Sequence, residues 1–224
     1  IPLRLVGSEM CIRDSRLFCA AAGFDLDSLV CGAQDHHINI RRVEKAQRGI
    51  GIWREKDMES IDGLCTNDPG VTLVIYCADC VPLYFYDQEH RAIGLAHAGW
   101  RGTAMGMARA MVERMAQEFG TRSEALRVGI GPSIGKDCFE VDEPVAQEFM
   151  KLPRWERFVA GPQREKYHVD LWECNRQFLL SAGVKEENIA VGQVCTMCES
   201  DLIFSHRKTR GQRGSNCAML ALQG

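Results

Sequence analysis

The sequence between residues 72 and 96 reads TLVIYCADCVPLYFYDQEHRAIGLA. It begins with an apolar, β-branched run at Thr72–Ala78, and two further apolar runs, Pro82–Tyr86 and Ala92–Ala96, flank a polar turn at residues 87–90. Short apolar runs bounded by turn residues are typical of buried strands. The pattern therefore predicts a strand followed by a β-hairpin.

The periodicity changes to that of a helix after this hairpin. Apolar side chains then recur every three or four residues, as expected for a helix with one buried face. Thr103 is the predicted N-cap and Gly120 the predicted stop. The residues of the predicted buried face are Ala104, Ala108, Met111, Val112, Met115 and Phe119.

The rest of the chain continues to alternate between strand and helix patterns. Strands are predicted at residues 126–130, 189–194 and 218–222, and helices at residues 143–151 and 171–182. The sequence contains no internal repeat or linker. We therefore predict an α/β (α+β) fold, as a single-domain layered sandwich with mixed sheets.

Composition limits the classes of partner. The chain has 224 residues, of which 46% are hydrophobic and 25% charged, so it is an ordinary globular chain and not a disordered one. With 27 basic and 30 acidic residues it has no overall positive field, and we predict no nucleic-acid and no membrane partner. Its 11 cysteines are an odd number and fall below the density of secreted disulfide scaffolds, which favours a reducing, cytoplasmic location.

Three places bring reactive side chains next to turns: Gln34-Asp-His-His37, Ala78-Asp-Cys80 and His97-Ala-Gly-Trp-Arg-Gly102. A thiolate and two imidazoles suit zinc, and three protein ligands leave a fourth position open. Other interpretations stay open at this point. Cys80 can be a small core residue, Asp79 a turn cap and His97 a core histidine bonded to a carbonyl.

Two Cys-x-x-Cys pairs, Cys77/Cys80 and Cys195/Cys198, raise the alternative of a four-cysteine zinc ribbon. The two pairs of a ribbon usually lie about 15–20 residues apart, whereas 114 residues separate these. We therefore expect Cys195 and Cys198 to be solvated or core cysteines.

Four groups of motifs occur together. In chain order they are Asp79-Cys80-Val-Pro, His97-Ala-Gly-Trp-Arg-Gly102, Ile130-Gly-Pro-Ser-Ile-Gly135 with Phe139-Glu-Val141, and Cys195-Thr-x-Cys198 with Phe204-Ser-His-Arg207. In this combination they resemble the YfiH-like family. That family was first described as multicopper polyphenol oxidoreductases, or laccase-domain proteins, and later as zinc-dependent purine nucleoside phosphorylases with adenosine deaminase activity.

The resemblance implies a zinc enzyme that uses inorganic phosphate as co-substrate. One Zn²⁺ per chain is expected on His36, Cys80 and His97, with His37 as a neighbour of the site. The expected substrates are purine nucleosides: adenosine, inosine, guanosine and methylthioadenosine. We expect a monomer or a weak homodimer.

Further residues receive roles from their own chemistry and position in the chain. Asp79 is the candidate for proton transfer, and Asp79, Cys80 and Arg101 form the predicted catalytic set. An anion cradle is expected where the guanidinium of Arg101 meets the start of the next helix. The predicted substrate-binding and phosphate-binding residues are Arg101, Gly102, Thr103, Ser205 and Arg207.

The resemblance extends from about Arg16 to the C-terminus. Family members carry a glycine-rich strand, an Asn-Leu-Gly element and an Asn-Arg pair before that position, whereas this chain reads Met10-Cys-Ile-Arg-Asp-Ser15. We therefore expect residues 1–15 to be a truncated or non-native N-terminal segment and residues 16–224 to form the YfiH-like domain.

Three alternative functions remain. Cys80 and His97 can serve as nucleophile and base of a cysteine hydrolase. A laccase-like polyphenol oxidase is a second alternative, but multicopper oxidases need many histidines and this chain has six. The third is an inactive binding protein.

Overall fold

The structure is a computed structural model that describes residues 9–55 and 57–223. Its strands are short and fall into three sheets. In chain order the strands are β1 (Leu29–Cys31), β2 (Ile40–Arg42), β3 (Gly63–Thr66), β4 (Thr72–Cys77), β5 (Val81–Asp87), β6 (Ala92–Ala98), β7 (Arg127–Ile130), β8 (Glu140–Val141), β9 (Val159–Gln163), β10 (Lys166–Val169), β11 (Ile189–Val191) and β12 (Asn216–Ala221).

One of the described helices lies near the start of the chain, and the other five follow residue 99. They are α1 (Glu9–Ala22), α2 (Trp100–Ala104), α3 (Met107–Phe119), α4 (Glu143–Met150), α5 (Leu171–Ser181) and α6 (His206–Thr209). Among the described helices, none is long and apolar enough to cross a bilayer.

The central sheet has six strands in the order β11-β7-β5-β6-β3-β2. Its middle is the predicted hairpin: β5 and β6 are antiparallel, with Val81 opposite Ala98 and Asp87 opposite Ala92. The sheet is mixed, because β2 pairs with β3, and β11 with β7, in parallel. The predicted hairpin and mixed sheets are therefore confirmed.

A second sheet, with the order β1-β4-β12, packs on one face of the central sheet. The alternation of β4 explains the stacking. Leu73 and Ile75 share a buried cluster with Leu95 of the central sheet, while Val74 points the other way and packs with Cys19 of α1. Alternate side chains of a strand face opposite sides, so β4 contributes to two apolar layers. The predicted layered sandwich is confirmed.

The other face of the central sheet is covered by α3 and α5. Ala108, Met111 and Met115 of α3 are fully buried against Phe85 and its neighbours in the central sheet, as the helical periodicity predicts. The predicted start of this helix is wrong. Gly106, in a left-handed conformation with φ of 86°, separates the short α2 from α3.

One feature of the fold differs from the sequence interpretation. A third sheet, β8-β10-β9, was not predicted; its strands are only two to five residues long, which leaves little periodicity to detect. The predicted boundary at Arg16 falls inside α1, which runs without interruption from Glu9 to Ala22. Residues 1–8 lie outside the described residues.

Candidate metal centre

Three distant parts of the chain meet at one end of the central hairpin. His36 comes from the loop between β1 and β2, Cys80 from the turn between β4 and β5, and His97 from the last part of β6. Their ligand atoms all lie within 4.8 Å of one another. The two imidazole rings stand edge to face, with centroids 5.0 Å apart. The tertiary structure thus gathers the three residues singled out as zinc ligands.

Special backbone conformations make this convergence possible. His36 and Asp79 both have positive φ values, 71° and 81°, which are uncommon for residues other than glycine. Gly99 provides the necessary space. A Cβ atom built there would lie 2.7 Å from Cδ2 of His36 and 3.1 Å from Sγ of Cys80. A side chain at position 99 would therefore push the ligands apart.

Asp62 supports the group from behind, and the sequence interpretation missed it. This carboxylate is 1% exposed and accepts a hydrogen bond from Nδ1 of His97 at 2.7 Å. It also accepts bonds from the backbone amides of residues 35, 36 and 37 at 3.0–3.1 Å. One buried carboxylate therefore orients the His97 ring and fixes the loop that carries His36. Its only sequence signal is a charged residue directly before an apolar strand.

The two imidazoles determine the protonation of the sulfur. Burial alone would raise the pKa of the Cys80 thiol, but hydrogen bonds and charge from His36 and His97 outweigh it and lower the pKa to about 6. Contact with Cys80 in turn raises the pKa of His36. Burial opposes protonation of His97, but its partners Asp62 and Cys80 raise its pKa to about 9. A thiolate is therefore the favoured form of Cys80.

These donors fit a zinc-class ion. Nδ1 of His97 is held by a carboxylate, so the opposite ring nitrogen faces the sulfur, which is the usual arrangement for metal-binding histidines. The set contains one thiolate and two imidazoles, and three protein ligands leave a coordination position free. His37 does not belong to the set, because its Nδ1 pairs with the carboxylate of Asp35 at 2.6 Å.

Asp79 connects the Cys80 turn to two other segments. One carboxylate oxygen accepts a hydrogen bond from the hydroxyl of Thr196 at 2.6 Å, and the other accepts one from the amide of Arg207 at 2.7 Å. Its own carbonyl accepts a bond from the amide of Ile134. Both oxygens of the residue predicted to transfer a proton are thus engaged in holding loops together.

The predicted anion cradle differs in detail from the expectation. Helix α2 begins at Trp100 with Gly99 as N-cap, so Thr103 is not the N-cap. Thr103 is fully buried; its amide donates to Gly99 and its hydroxyl lies between Ala98 and Asn175. The unpaired amides of the first turn are instead those of residues 100–102, which include Arg101 and Gly102.

Arg101 is exposed, with its guanidinium 4.4 Å from the centroid of the Trp100 ring. Among the residues that the structure describes, no carboxylate lies within ion-pair distance of it. An exposed and unpaired guanidinium is available to an anionic ligand.

A pocket of about 330 Å³ is lined by Trp100, which directly follows Gly99 in the sequence. Arg207 lines it, lies 5.4 Å from the centroid of the Phe139 ring and donates to the carbonyl of Glu140 at 2.7 Å. Ser205 lies just before Arg207, but it is 1% exposed and its hydroxyl caps α6. The pocket is lined by Trp100, Phe139, Glu140, Val141, Asp142, Val145, Lys166 and Arg207.

Three larger pockets, of about 410, 420 and 490 Å³, lie elsewhere. None of the predicted site residues lines any of them. Volume alone therefore does not identify the site. The pocket of about 330 Å³ is connected to the donor group through the chain, because Trp100 directly follows Gly99, which lies against His36 and Cys80.

The cysteines of the second Cys-x-x-Cys pair do not join this group. Cys195 and Cys198 lie with Cys138, and the three sulfurs are within 4.8 Å of one another. Burial raises the pKa of Cys138 to about 12, and hydrogen bonds with the two other thiols add to the effect. The four-cysteine ribbon is excluded, because Cys80 lies with the two histidines. The expectation of simple solvated or core cysteines also missed the cluster.

Comparisons with known proteins agree with this fold. The family model described as multi-copper polyphenol oxidoreductase laccase matches residues 8–223. The purine nucleoside phosphorylase YlmD of Geobacillus stearothermophilus is 38% identical over 217 residues, which cover 93% of this chain and 77% of the relative. A protein named adenosine deaminase RL5, from an unknown prokaryotic organism, is 36% identical over 201 residues, covering 88% of this chain and 76% of the relative.

A solved structure is similarly close. The crystal structure of the Bacillus licheniformis hypothetical protein YfiH has a TM-score of 0.90 and 35% identity, covering 95% of this chain and 80% of the other. The chain therefore belongs to the laccase-like YfiH family, and the resemblance in the motifs is confirmed. The family match begins at residue 8, so it includes part of the segment predicted to be non-native.

Proposed function

We propose that the chain is a zinc-dependent purine nucleoside phosphorylase with adenosine deaminase activity. The convergence of His36, Cys80 and His97 in front of the buried carboxylate of Asp62 carries the proposal. Relatives that share most of the chain are named purine nucleoside phosphorylase and adenosine deaminase. These names agree with an open site of two imidazoles and one thiolate.

His36, Cys80 and His97 would hold one Zn²⁺ per chain. The ion supplies Lewis-acid chemistry, and an open three-ligand site is compatible with both phosphorolysis and deamination. Asp62 keeps the His97 ring in the tautomer that presents its free nitrogen to the site. Gly99 keeps the space between His36 and Cys80 clear.

Inorganic phosphate would bind beside this group. In phosphorolysis a phosphate oxygen forms a bond to the anomeric carbon as the bond from that carbon to the purine nitrogen breaks, and the departing purine takes up a proton. Arg101 and the free amides of the first turn of α2, including that of Gly102, offer positive charge and N–H donors for the phosphate. Thr103 contributes by fixing α2 through its buried hydroxyl.

The nucleoside would occupy the pocket next to Trp100. The rings of Trp100 and Phe139 provide apolar area for a purine, and Arg207 provides a donor at the same wall. Ser205 caps the short helix that carries Arg207. The carboxylate of Asp79 accepts a hydrogen bond from the amide of Arg207 and so holds the same helix in position. We propose that Asp79 has this positioning role in addition to proton transfer.

The strongest rival is the cysteine hydrolase, because Cys80 has a lowered pKa next to His97. Two imidazoles facing one sulfur, however, exceed the single base that a nucleophile needs. The laccase-like alternative is weaker, since the described residues contain one donor group with histidines and multicopper oxidases need several. The cysteine content favours a cytoplasmic location, and we retain the expectation of a monomer or weak homodimer.

The test is product analysis with a matched cysteine control. The purified chain is incubated with adenosine, with and without inorganic phosphate. Adenine that forms only with phosphate reports phosphorolysis, and inosine reports deamination. Cys80→Ala should form neither product and should lose one zinc ion per chain. The control is Cys217→Ala, which should keep both products and the zinc, because Cys217 is a half-buried residue of β12 that belongs neither to the group of Cys80 nor to that of Cys195.

Two results would contradict the proposal. Turnover that persists in metal-free protein but is abolished by Cys80→Ala would favour the cysteine hydrolase. Zinc bound at Cys80 without turnover of any purine nucleoside would favour the binding protein.

A further inference from the structure

A second sulfur site lies apart from the donor group of Cys80. Cys138 comes from the segment between β7 and β8, and Cys195 and Cys198 come from the segment after β11. Sγ of Cys138 is 3.5 Å from Sγ of Cys198, and the three sulfurs lie within 4.8 Å of one another. Two segments 56 residues apart in the sequence therefore meet through their thiols.

We propose that Cys138, Cys195 and Cys198 form a second metal site for a zinc-class, thiophilic ion. Three tetrahedral ligands at the usual Zn–S length of about 2.3 Å would have their sulfurs about 3.8 Å apart. The observed separations need only small side-chain adjustments to reach this geometry. Thiolates are the ligands that such ions prefer.

The backbone around Cys195 is arranged to support a metal-binding thiolate. The amide of Gly135 donates a hydrogen bond to Sγ of Cys195 at 3.2 Å. Amide donors stabilise the ionised form of a thiol.

The cluster is also accessible. Cys198 is exposed, while Cys138 and Cys195 are half-buried, so an ion can reach the three sulfurs from solvent. On binding, each coordinated thiol that still carries its proton releases it to solvent. The fourth position is left for water or another external ligand, as in other three-ligand sites.

The ion would join two segments that border the first site. The segment with Cys195 contains Thr196, whose hydroxyl binds Asp79, and residue 79 precedes Cys80. A bridge between Ser133 and Cys195 already pairs the same segments. The second ion therefore has a positioning role. Whether this ion binds does not depend on the proposed activity.

The test counts metal in matched variants. The chain and its variants are purified without oxygen and analysed for zinc. Wild type should contain two zinc ions per chain, Cys80→Ser one, Cys198→Ser one, and the double variant none. Cys217→Ala should contain two. Because Cys198 is exposed, its replacement leaves the packing of the core unchanged.

A spectroscopic measurement identifies the ligands directly. Cadmium added to the Cys80→Ser protein should produce a thiolate-to-metal charge-transfer absorption, and this band should vanish in the double variant. Cys138→Ser in the Cys80→Ser protein should weaken the band as well.

Three outcomes would overturn the second site. One is a zinc content in Cys198→Ser equal to that of wild type, and another is uptake of copper but not zinc by the reduced Cys80→Ser protein. The third is a reduced Cys80→Ser protein that binds no ion but forms a disulfide between Cys138 and Cys198 in air. None of these results bears on whether Cys80 holds zinc or whether the chain acts on nucleosides.

Discussion

The two sulfur groups of this molecule are built in opposite ways. The group of His36, Cys80 and His97 mixes nitrogen and sulfur donors and rests on the buried carboxylate of Asp62. The cluster of Cys138, Cys195 and Cys198 contains only sulfur, lies near the surface and is supported by the backbone amide of Gly135. A buried carboxylate behind a ligand needs partners that compensate its charge. A backbone amide is neutral, so it needs no such compensation. The first group is therefore more dependent on single residues than the second.

Asp79 lies between the two groups. Its carboxylate binds Thr196, which sits inside the Cys195/Cys198 pair, and Asp79 directly precedes Cys80. A change in one group can thus reach the other through one residue. The following variants test whether the groups differ as described.

The largest effect is expected when a ligand of the first group is removed. His97→Ala should abolish phosphorolysis and remove one zinc ion per chain. The loss of activity should exceed the 10–100-fold that is typical when only a hydrogen-bond partner of a metal ligand is replaced. The matched change in the other group, Cys198→Ser, should remove one zinc ion and leave most of the activity. Equal activity losses in both variants would contradict the separation of the two groups.

Asp62→Asn should weaken zinc binding at the first group by about 10–100-fold. The amide is close in size to the carboxylate, but it lacks the charge and one of the two acceptor oxygens that hold His97 and the loop of His36. Zinc affinity is measured by competition with a chelator in the Cys198→Ser protein, which isolates the first group. An unchanged affinity would exclude a supporting role for Asp62.

Gly99→Ala should weaken zinc binding by about tenfold, since forcing a methyl group into a packed site costs about 1–3 kcal/mol. Gly102→Ala is the control for metal binding. A Cβ atom at Gly102 would meet its neighbours only at van der Waals distance, and the nearest of them is the carbonyl oxygen of His37 at 3.4 Å. If both variants bind zinc as wild type does, the close approach at Gly99 is unimportant.

Thr196→Val tests the link between the groups. It should lower the free energy of unfolding by about 1–3 kcal/mol, because one oxygen of Asp79 loses its partner in a largely buried environment. Zinc content should remain unchanged. Chemical denaturation with metal analysis provides both quantities, and a loss of either zinc ion would show that the link is more than structural.

The smallest effect is expected at Asp68, which lies in the loop between β3 and β4. Burial tends to raise the pKa of its carboxyl, but hydrogen bonds from the amides of Gly70 and Lys45 lower it below the ordinary 3.8. A lowered folded-state pKa stabilises the fold above the unfolded-state pKa, and this contribution disappears as the pH falls through the folded-state value. Asp68→Asn should cost about 1 kcal/mol at pH 7 and less at pH 3.

Zinc content of Asp68→Asn should equal that of wild type, which makes it a control outside both groups. A stability difference that does not shrink between pH 7 and pH 3 would contradict the assigned ionisation.

The sequence predicted the parts of the fold that have long periodic patterns. The hairpin of β5 and β6 and the buried face of α3 follow directly from alternation and helical spacing. The short strands β8–β10 carry too few residues for a period, and the start of the helix was misplaced because Gly106 breaks it. The family resemblance supplied His36, Cys80 and His97, but neither Asp62 nor Cys138 stands in a motif that the sequence alone would single out.

The long periodic elements, and the layers in which they bury their apolar side chains, were determined by the sequence by itself. The assembly of the two donor groups was decided only by the tertiary structure, because their members are separated by up to 60 residues and meet through the packing of loops at the ends of strands. Side-chain periodicity reports which face is buried, but it carries no information on which distant loops come into contact. That information lies in the sheet order and in left-handed residues such as His36 and Asp79.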